Sequence, residues 1–228
     1  SIRRIYTVRG YKKSAVNLPK IKFIDNDDYA STGEVESLSR AMDTIKGKCI
    51  FSYGDILFRH YVLDQLLATK GDIVLVADAL WQDRDPNPQS RTRDLVKCAE
   101  PHTTKYLDKE EVCLNAIGHD FNPDAIQGEW IGLAKFSAKG SDKISSEIIA
   151  MQQDNTAKNG SMIDLFTRLL QNGEQINIIC AMHDIKVDYL LSTPMGNDFN
   201  KDTDAPFGTI PWMKDKANGL ELNDSMAI

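Results

Sequence analysis

Apolar residues follow two periods through the first 181 positions, and the change from one to the other marks out the elements. "RRIYTV" (3–8) and "KIKFIDN" (20–26) read as strands on either side of a polar turn at Arg9–Lys13. In "STGEVESLSRAMDTI" the apolar positions Val35, Leu38, Ala41, Met42 and Ile45 fall at helical spacing, and Ser31 three residues before Glu34 predicts a capping box and a helix over 34–46. "KCIFSY" predicts a strand. "FRHYVLDQLLATKG" predicts a helix with Phe58, Tyr61, Val62, Leu66 and Leu67 on its apolar face and Gly71 as its stop. The unbroken run in "DIVLVADA" (72–79) is that of a strand covered on both faces.

Beyond a charged, two-proline loop at 82–91, "RDLVKC", "TKYLD", "EVCLNAI" and "WIGLAKF" predict shorter strands, added antiparallel. "SDKISSEIIAMQQDNTAK" and "SMIDLFTRLLQNG" predict two helices, the second with Ile163, Phe166, Leu169 and Leu170 on one face, and "QINIICA" a last strand. Strands alternating with helices point to an α/β fold with a three-layer, mostly parallel mixed sheet. After residue 181 the pattern fades into turn-forming residues, so the chain divides into a domain over 1–181 and an irregular tail over 182–228.

Composition narrows the chemistry. The formal charge of -6 and the pI near 5.3 argue against general affinity for nucleic-acid phosphates or an anionic membrane. No apolar run approaches the roughly 18 residues of a membrane span. The four cysteines, Cys49, Cys98, Cys113 and Cys180, lack any Cys-x-x-Cys pairing and read as reduced thiols of a cytoplasmic protein.

One motif raises a question of its own. "CIFSYGD" is a buried-looking strand that ends on a carboxylate just after a glycine. A charge can sit at the mouth of such a strand but not inside it, because burying it unpaired costs several kcal/mol. In open α/β sheets ligands bind at the carboxyl ends of the strands. Asp55 is therefore open to two readings: a hard oxygen donor suited to magnesium, or the cap of the following helix. Gly54 leaves room for a ligand to approach the backbone.

Taken in order, "VRGY", "IDNDDYASTGEVESLSRAM", "SYGDILFRHYVLDQLL", "DIVLVADALW", "RDLV" and "GEWIGLAKFS" resemble the nucleotidyltransferase family, in its cytidylyltransferase branch. The nearest likeness is to 2-aminoethylphosphonate cytidylyltransferases and to the domain fused to phosphoenolpyruvate mutase. The resemblance implies a Rossmann-like nucleotidyltransferase fold. It also implies transfer of CMP from CTP to 2-aminoethylphosphonate or 2-hydroxyethylphosphonate, with release of pyrophosphate. Asp55 matches the family's magnesium-binding aspartate. Asn26, Ser37, Gly54 and the start of the helix near Glu34 to Glu36 match positions bordering the nucleotide. Glu129 and Trp130 match the acceptor pocket, where a carboxylate and an aromatic face suit an ammonium group. For Trp130 a packing role is the alternative, and for Ser37 a solvated helix hydroxyl. Arg91, Arg93 and Lys135 are candidates for the acceptor's phosphonate oxygens.

Two departures qualify the likeness. The family's first strand and its Gly-rich, Arg-containing phosphate loop have no counterpart here, so the chain is expected to be N-terminally truncated and a weak nucleotide binder alone. The later Gly-Trp-x-Asp-like motif is replaced by "MHDIKVD", which makes Asp184 the first candidate for the second metal ligand and Asp188 the next, with His183 a neighbouring surface residue. A fused mutase domain or a homodimer are the partners the resemblance implies. A sugar-1-phosphate nucleotidyltransferase and a non-catalytic domain of the same fold stand as alternatives.

Overall fold

A computed structural model describes residues 2–56, 58–84, 92–100 and 112–181. The predicted strands "TKYLD", Asp184, Asp188, His183, Arg91 and the tail over 182–228 lie outside the described residues.

The described chain forms eight strands and five helices: β1 (Ile5–Arg9), β2 (Ile21–Asp25), α1 (Glu34–Arg40), β3 (Cys49–Ser52), α2 (His60–Ala68), β4 (Ile73–Asp78), α3 (Trp81–Arg84), β5 (Leu95–Cys98), β6 (Val112–Gly118), β7 (Gly128–Phe136), α4 (Ala138–Gln153), α5 (Met162–Gln171) and β8 (Asn177–Ala181). β1 and β2 pair in parallel as a separate two-stranded sheet. The other six strands run in the order β3-β7-β4-β8-β6-β5, and β5 also pairs with β7, so five of them close on themselves. The fold is mixed α/β.

The expectation of a mostly parallel sheet needs correction. β3, β4, β5 and β8 share one direction, yet only β4 and β8 are parallel neighbours in this sheet. β7 is the reason. It was expected as an added strand, but it lies between β3 and β4 and runs against both. A nine-residue strand with almost every side chain buried is stable there because both its edges and both its faces are covered.

β4 divides the core by simple alternation. Ile73, Leu75 and Ala77 join one cluster with Val35, Ile144, Phe166 and Trp130 from the side of α1, α4 and α5. Val74 and Val76 join a second with Val62, Leu66, Ile131 and Leu133 from the side of α2.

Two helix expectations change. α1 stops at Arg40, followed by a short 3-10 turn over Met42–Thr44, and its N-cap is Gly33 with no side-chain cap. The box expected of Ser31 and Glu34 does not form, because Ser31 Oγ bonds the Asp28 carbonyl while Glu34 accepts the Met162 N–H across the molecule. A capping box forms instead at Ser161 and Asp164, opening α5. On α2, Val62, Leu63 and Leu66 face the core, whereas Tyr61 is 41 % and Leu67 53 % exposed. Among the described residues no helix is long and apolar enough to cross a membrane.

The β7 register carries one irregularity. Val76 lies opposite Leu133 and Ala77 opposite Trp130, so Ile131 and Gly132 bulge out of the pairing with β4. Gly132 has φ +80°, and a Cβ on it would stand 2.2 Å from the Tyr53 ring. Gly132→Ala combines a strained backbone with a clash, and we expect it to lower unfolding stability by about 1–3 kcal/mol or more. Urea unfolding with an unchanged slope and a lowered midpoint would show this; an unchanged midpoint would mean that Tyr53 yields freely.

Candidate active site at the strand ends

β3 and β4 end on the same side of the sheet, and β7 begins there. The register places Asp78 opposite Glu129 and next to Ala181 at the end of β8. Tyr53 N–H donates to Gly132 O at 2.9 Å, so the Tyr53-Gly54-Asp55 turn leaves the sheet beside the same mouth.

Asp55 is half-buried in this turn. The capping alternative does not hold, since the N-cap of α2 is Arg59, four residues on. Among the described residues Asp55 closes no hydrogen bond or ion pair. Gly54 is exposed, and nothing among the described residues lies within 4 Å of a built Cβ.

Tyr53 stands behind Asp55. Its ring packs on Phe51 and Trp130. Its hydroxyl is buried with no hydrogen bond of ordinary geometry, although Glu34 lies within a looser contact. Burial, and then the charges of Glu34, Asp94 and Asp55, push its ionisation far above the ordinary phenol range, so it stays a neutral donor facing carboxylates.

The pocket residues come together differently from the expectation. Trp130 is 2 % exposed; it stacks near Phe51, meets Phe166 edge-on, and donates its indole N–H to Leu133 O. This is the packing alternative. Glu129 is 3 % exposed and accepts from Arg93 Nη1 at 2.7 Å, with Arg93 itself 5 % exposed and its guanidinium 5.1 Å from the Trp81 ring centre. The carboxylate expected to meet an ammonium thus meets a guanidinium of its own chain. Arg93 does lie at the mouth, held there through β5, whose Leu95 is opposite Glu129.

Lys135 is elsewhere. Because β7 runs back from the mouth, Lys135 lies opposite Ile50 and Val74, and its ammonium bonds the Leu67 and Thr69 carbonyls at the end of α2. That position corrects its expected role at the acceptor, with the cause being the antiparallel course of β7. Asn26 is 1 % exposed and tied up: it donates to Thr32 Oγ1 and Ser37 Oγ, both at 3.0 Å, and accepts from Asp28 N–H. The pair pins the end of β2 to α1.

One residue was missed by sequence reasoning. Asp78 ends the buried run "IVLVAD" as Asp55 ends its own, and is 5 % exposed with Leu80 N–H donating to Oδ1. The rule applied to "CIFSYGD" would have found it. Glu34 was read as half of a cap and as part of the helix start that the resemblance sets beside the nucleotide, and the tertiary contact with Met162 shows one of its partners.

For a metal, the described residues hold no cluster of three or more His, Cys, Asp or Glu side chains close enough to bind an ion. The donor chemistry still suits magnesium, which commonly takes one or two carboxylates and fills its remaining positions with water and substrate phosphates.

The mixed α/β fold is similar to that of solved proteins of low sequence identity. The inositol-1-phosphate CTP transferase from T. maritima superposes with a TM-score of 0.55 at 14 % identity over 76 % of this chain. The chain spans 64 % of that structure's length. The CTP:phosphocholine cytidylyltransferase from Streptococcus pneumoniae aligns over 80 % of this chain and 71 % of its own, at 12 % identity and a TM-score of 0.49. No family model matches the sequence, and no curated protein matches it.

The buried pair at the mouth makes a direct prediction. Glu129→Ala strips the carboxylate from a buried guanidinium and should cost about 3–5 kcal/mol. Lys135→Ala, at a half-buried helix end, should cost about 1 kcal/mol. Equal losses in parallel urea titrations would show that the pair does not hold the mouth together.

Proposed function

We propose that this chain carries the catalytic fold of a cytidylyltransferase, moving CMP from CTP to a small phosphonate such as 2-aminoethylphosphonate, with release of pyrophosphate. The observation that carries the reading is Asp55. It is a carboxylate at a strand mouth, without a partner among the described residues, not a helix cap, and beside a glycine whose built Cβ meets nothing among the described residues. An unpaired carboxylate kept beside other acids is costly unless a cation is to join it. The likeness in fold to a CTP transferase supports the choice of reaction class.

In this reading Asp55 would hold a magnesium ion, which would supply positive charge against the triphosphate. The acceptor oxygen attacks the α-phosphorus in line and pyrophosphate leaves, with no covalent intermediate on the protein. Tyr53 presents a neutral hydroxyl beside Asp55. Arg93, held by Glu129, sets positive charge at the mouth. Asp184, with Asp188 as the alternative, remains the proposed second metal ligand. The family's three-layer arrangement belongs to this proposal too, as do a fused mutase domain and a homodimer.

A sugar-like phosphate acceptor is the second reading. It is favoured by the T. maritima likeness, whose acceptor is inositol 1-phosphate, and by the burial of Trp130, which takes away the aromatic face offered to an ammonium.

Pyrophosphate release measured on the full-length protein decides between them. CTP, ATP, GTP and UTP are offered in turn with magnesium and either 2-aminoethylphosphonate or inositol 1-phosphate. Release with CTP and the phosphonate supports the first reading, and release with the inositol phosphate alone supports the second. Asp55→Ala should lower turnover by about 10²–10³-fold. Silence with every pair would move the chain to the non-catalytic class.

A further inference from the structure

The mouth holds a further ionisable pair, Asp94 and His119. Glu129 faces Asp78 across one edge of β7 and Leu95 across the other, so β3 and β5 follow one another along that second edge. There Tyr53 N–H donates to Gly132 O at 2.9 Å, and Trp130 N–H donates to Asp94 O at 2.7 Å. Asp94 therefore joins β7 two positions from the point where the Tyr53-Gly54-Asp55 turn leaves it. β6 brings the histidine to the same place. Leu95 pairs with Gly118, so His119, the next residue, comes level with Asp94.

Two contacts fix the imidazole. Nδ1 lies 2.9 Å from the Arg93 carbonyl oxygen and 3.6 Å from Asp94 Oδ1. A carbonyl can only accept, so Nδ1 carries the hydrogen and Nε2 of the neutral ring keeps its lone pair. Nε2 has no partner among the described residues, and the side chain is 47 % exposed. A ring anchored through Nδ1–H is held ready to take a proton at the other nitrogen, and a carboxylate beside it stabilises the imidazolium that forms. The other charged groups around it are turned elsewhere or out to solvent. Arg93 donates to Glu129, Lys97 of β5 lies over the Phe121 ring that packs on Gly118, and Asp120 is exposed.

We propose that His119 binds the acceptor at Nε2 and takes the proton of its phosphonate or phosphate group. This rests on the transferase reading and adds to it a base separate from Asp55, whose carboxylate is assigned to a cation. The P–OH of the acceptor gives its proton to Nε2, and the freed oxygen bonds to the α-phosphorus of the nucleotide. The bond from that phosphorus to the bridging oxygen breaks, and pyrophosphate leaves with the bonding pair. The imidazolium then returns its proton to solvent. Asp94 is a positioning residue, acting through the ring.

His119→Asn separates anchor from base, because its amide can still donate to the Arg93 carbonyl while nothing replaces Nε2. In the full-length protein this variant is expected to lower kcat/KM for the acceptor about 10²-fold or more, with the KM for the nucleotide and the urea midpoint kept. A second measurement follows the histidine nitrogens of the ¹⁵N-labelled protein, with His119 assigned by its loss in the variant. In the presence of magnesium and CMP, 2-aminoethylphosphonate or inositol 1-phosphate should move Nε2 while Nδ1 keeps the shift of a protonated nitrogen. A His119→Asn protein as active as the wild type, or an Nε2 resonance that neither acceptor moves, overturns the proposal. A wild type that releases no pyrophosphate while the acceptor still moves Nε2 would instead bring down the transferase reading and leave His119 as the anion-binding residue of the mouth.

Discussion

The bulge at Ile131–Gly132 is the constraint on which the mouth of this protein depends. A strand between two neighbours would ordinarily keep one register with both, and β7 keeps it with β3 and with the first half of β4. At Gly132 the register with β4 breaks, and the Tyr53 ring fills the space where a side chain would stand. The pairing with β4 resumes at Trp130, two residues out of step. That shift sets Glu129 opposite Asp78 and leaves Trp130 enclosed by Phe51, Tyr53 and Phe166. A glycine with positive φ thus decides which residue of "GEWIG" meets the strand-end carboxylate and which fills the core.

Charge at the mouth follows from this geometry. Buried carboxylates survive only with partners, and Glu129 has Arg93. Asp55 is half-exposed and has no such partner among the described residues. The helices hold the arrangement from behind through backbone contacts: Gly33 N–H bonds the Lys158 carbonyl at 2.7 Å, Val35 N–H bonds that of Gly160 at 3.0 Å, and Glu34 accepts from Met162 N–H. Gly33 is a close approach of this kind, with a built Cβ only 2.4 Å from Gly160 O. The start of α1 is therefore tied to the turn between α4 and α5, and through Asn26 and Ser37 to the end of β2.

Much of this was legible from the chain alone, and for a common reason. Strand and helix identities in 2–56, 58–84 and 112–181 follow from local periodicity, which each segment carries in itself. The strand-mouth logic located Asp55 and, applied once more, would have located Asp78. What failed was everything dependent on partners in space. The Ser31–Glu34 box is a correct local pattern, overridden when Glu34 found a donor on α5. Lys135 was placed with the acceptor as a cation leaving the "WIGLAKF" strand towards the same side as the long loop, though antiparallel β7 carries it to the opposite end of β4.

By itself, then, the sequence determined an α/β chain with a covered central strand, free thiols, and an aspartate at the end of a buried strand. Those features rest on interactions within a few residues or on composition. Only the tertiary structure decided that β7 lies between β3 and β4, that Glu129 pairs with Arg93 rather than standing free, and that Trp130 is core. Each of these turns on strand order and register, which are set by packing between segments far apart in the chain, and no local period encodes them.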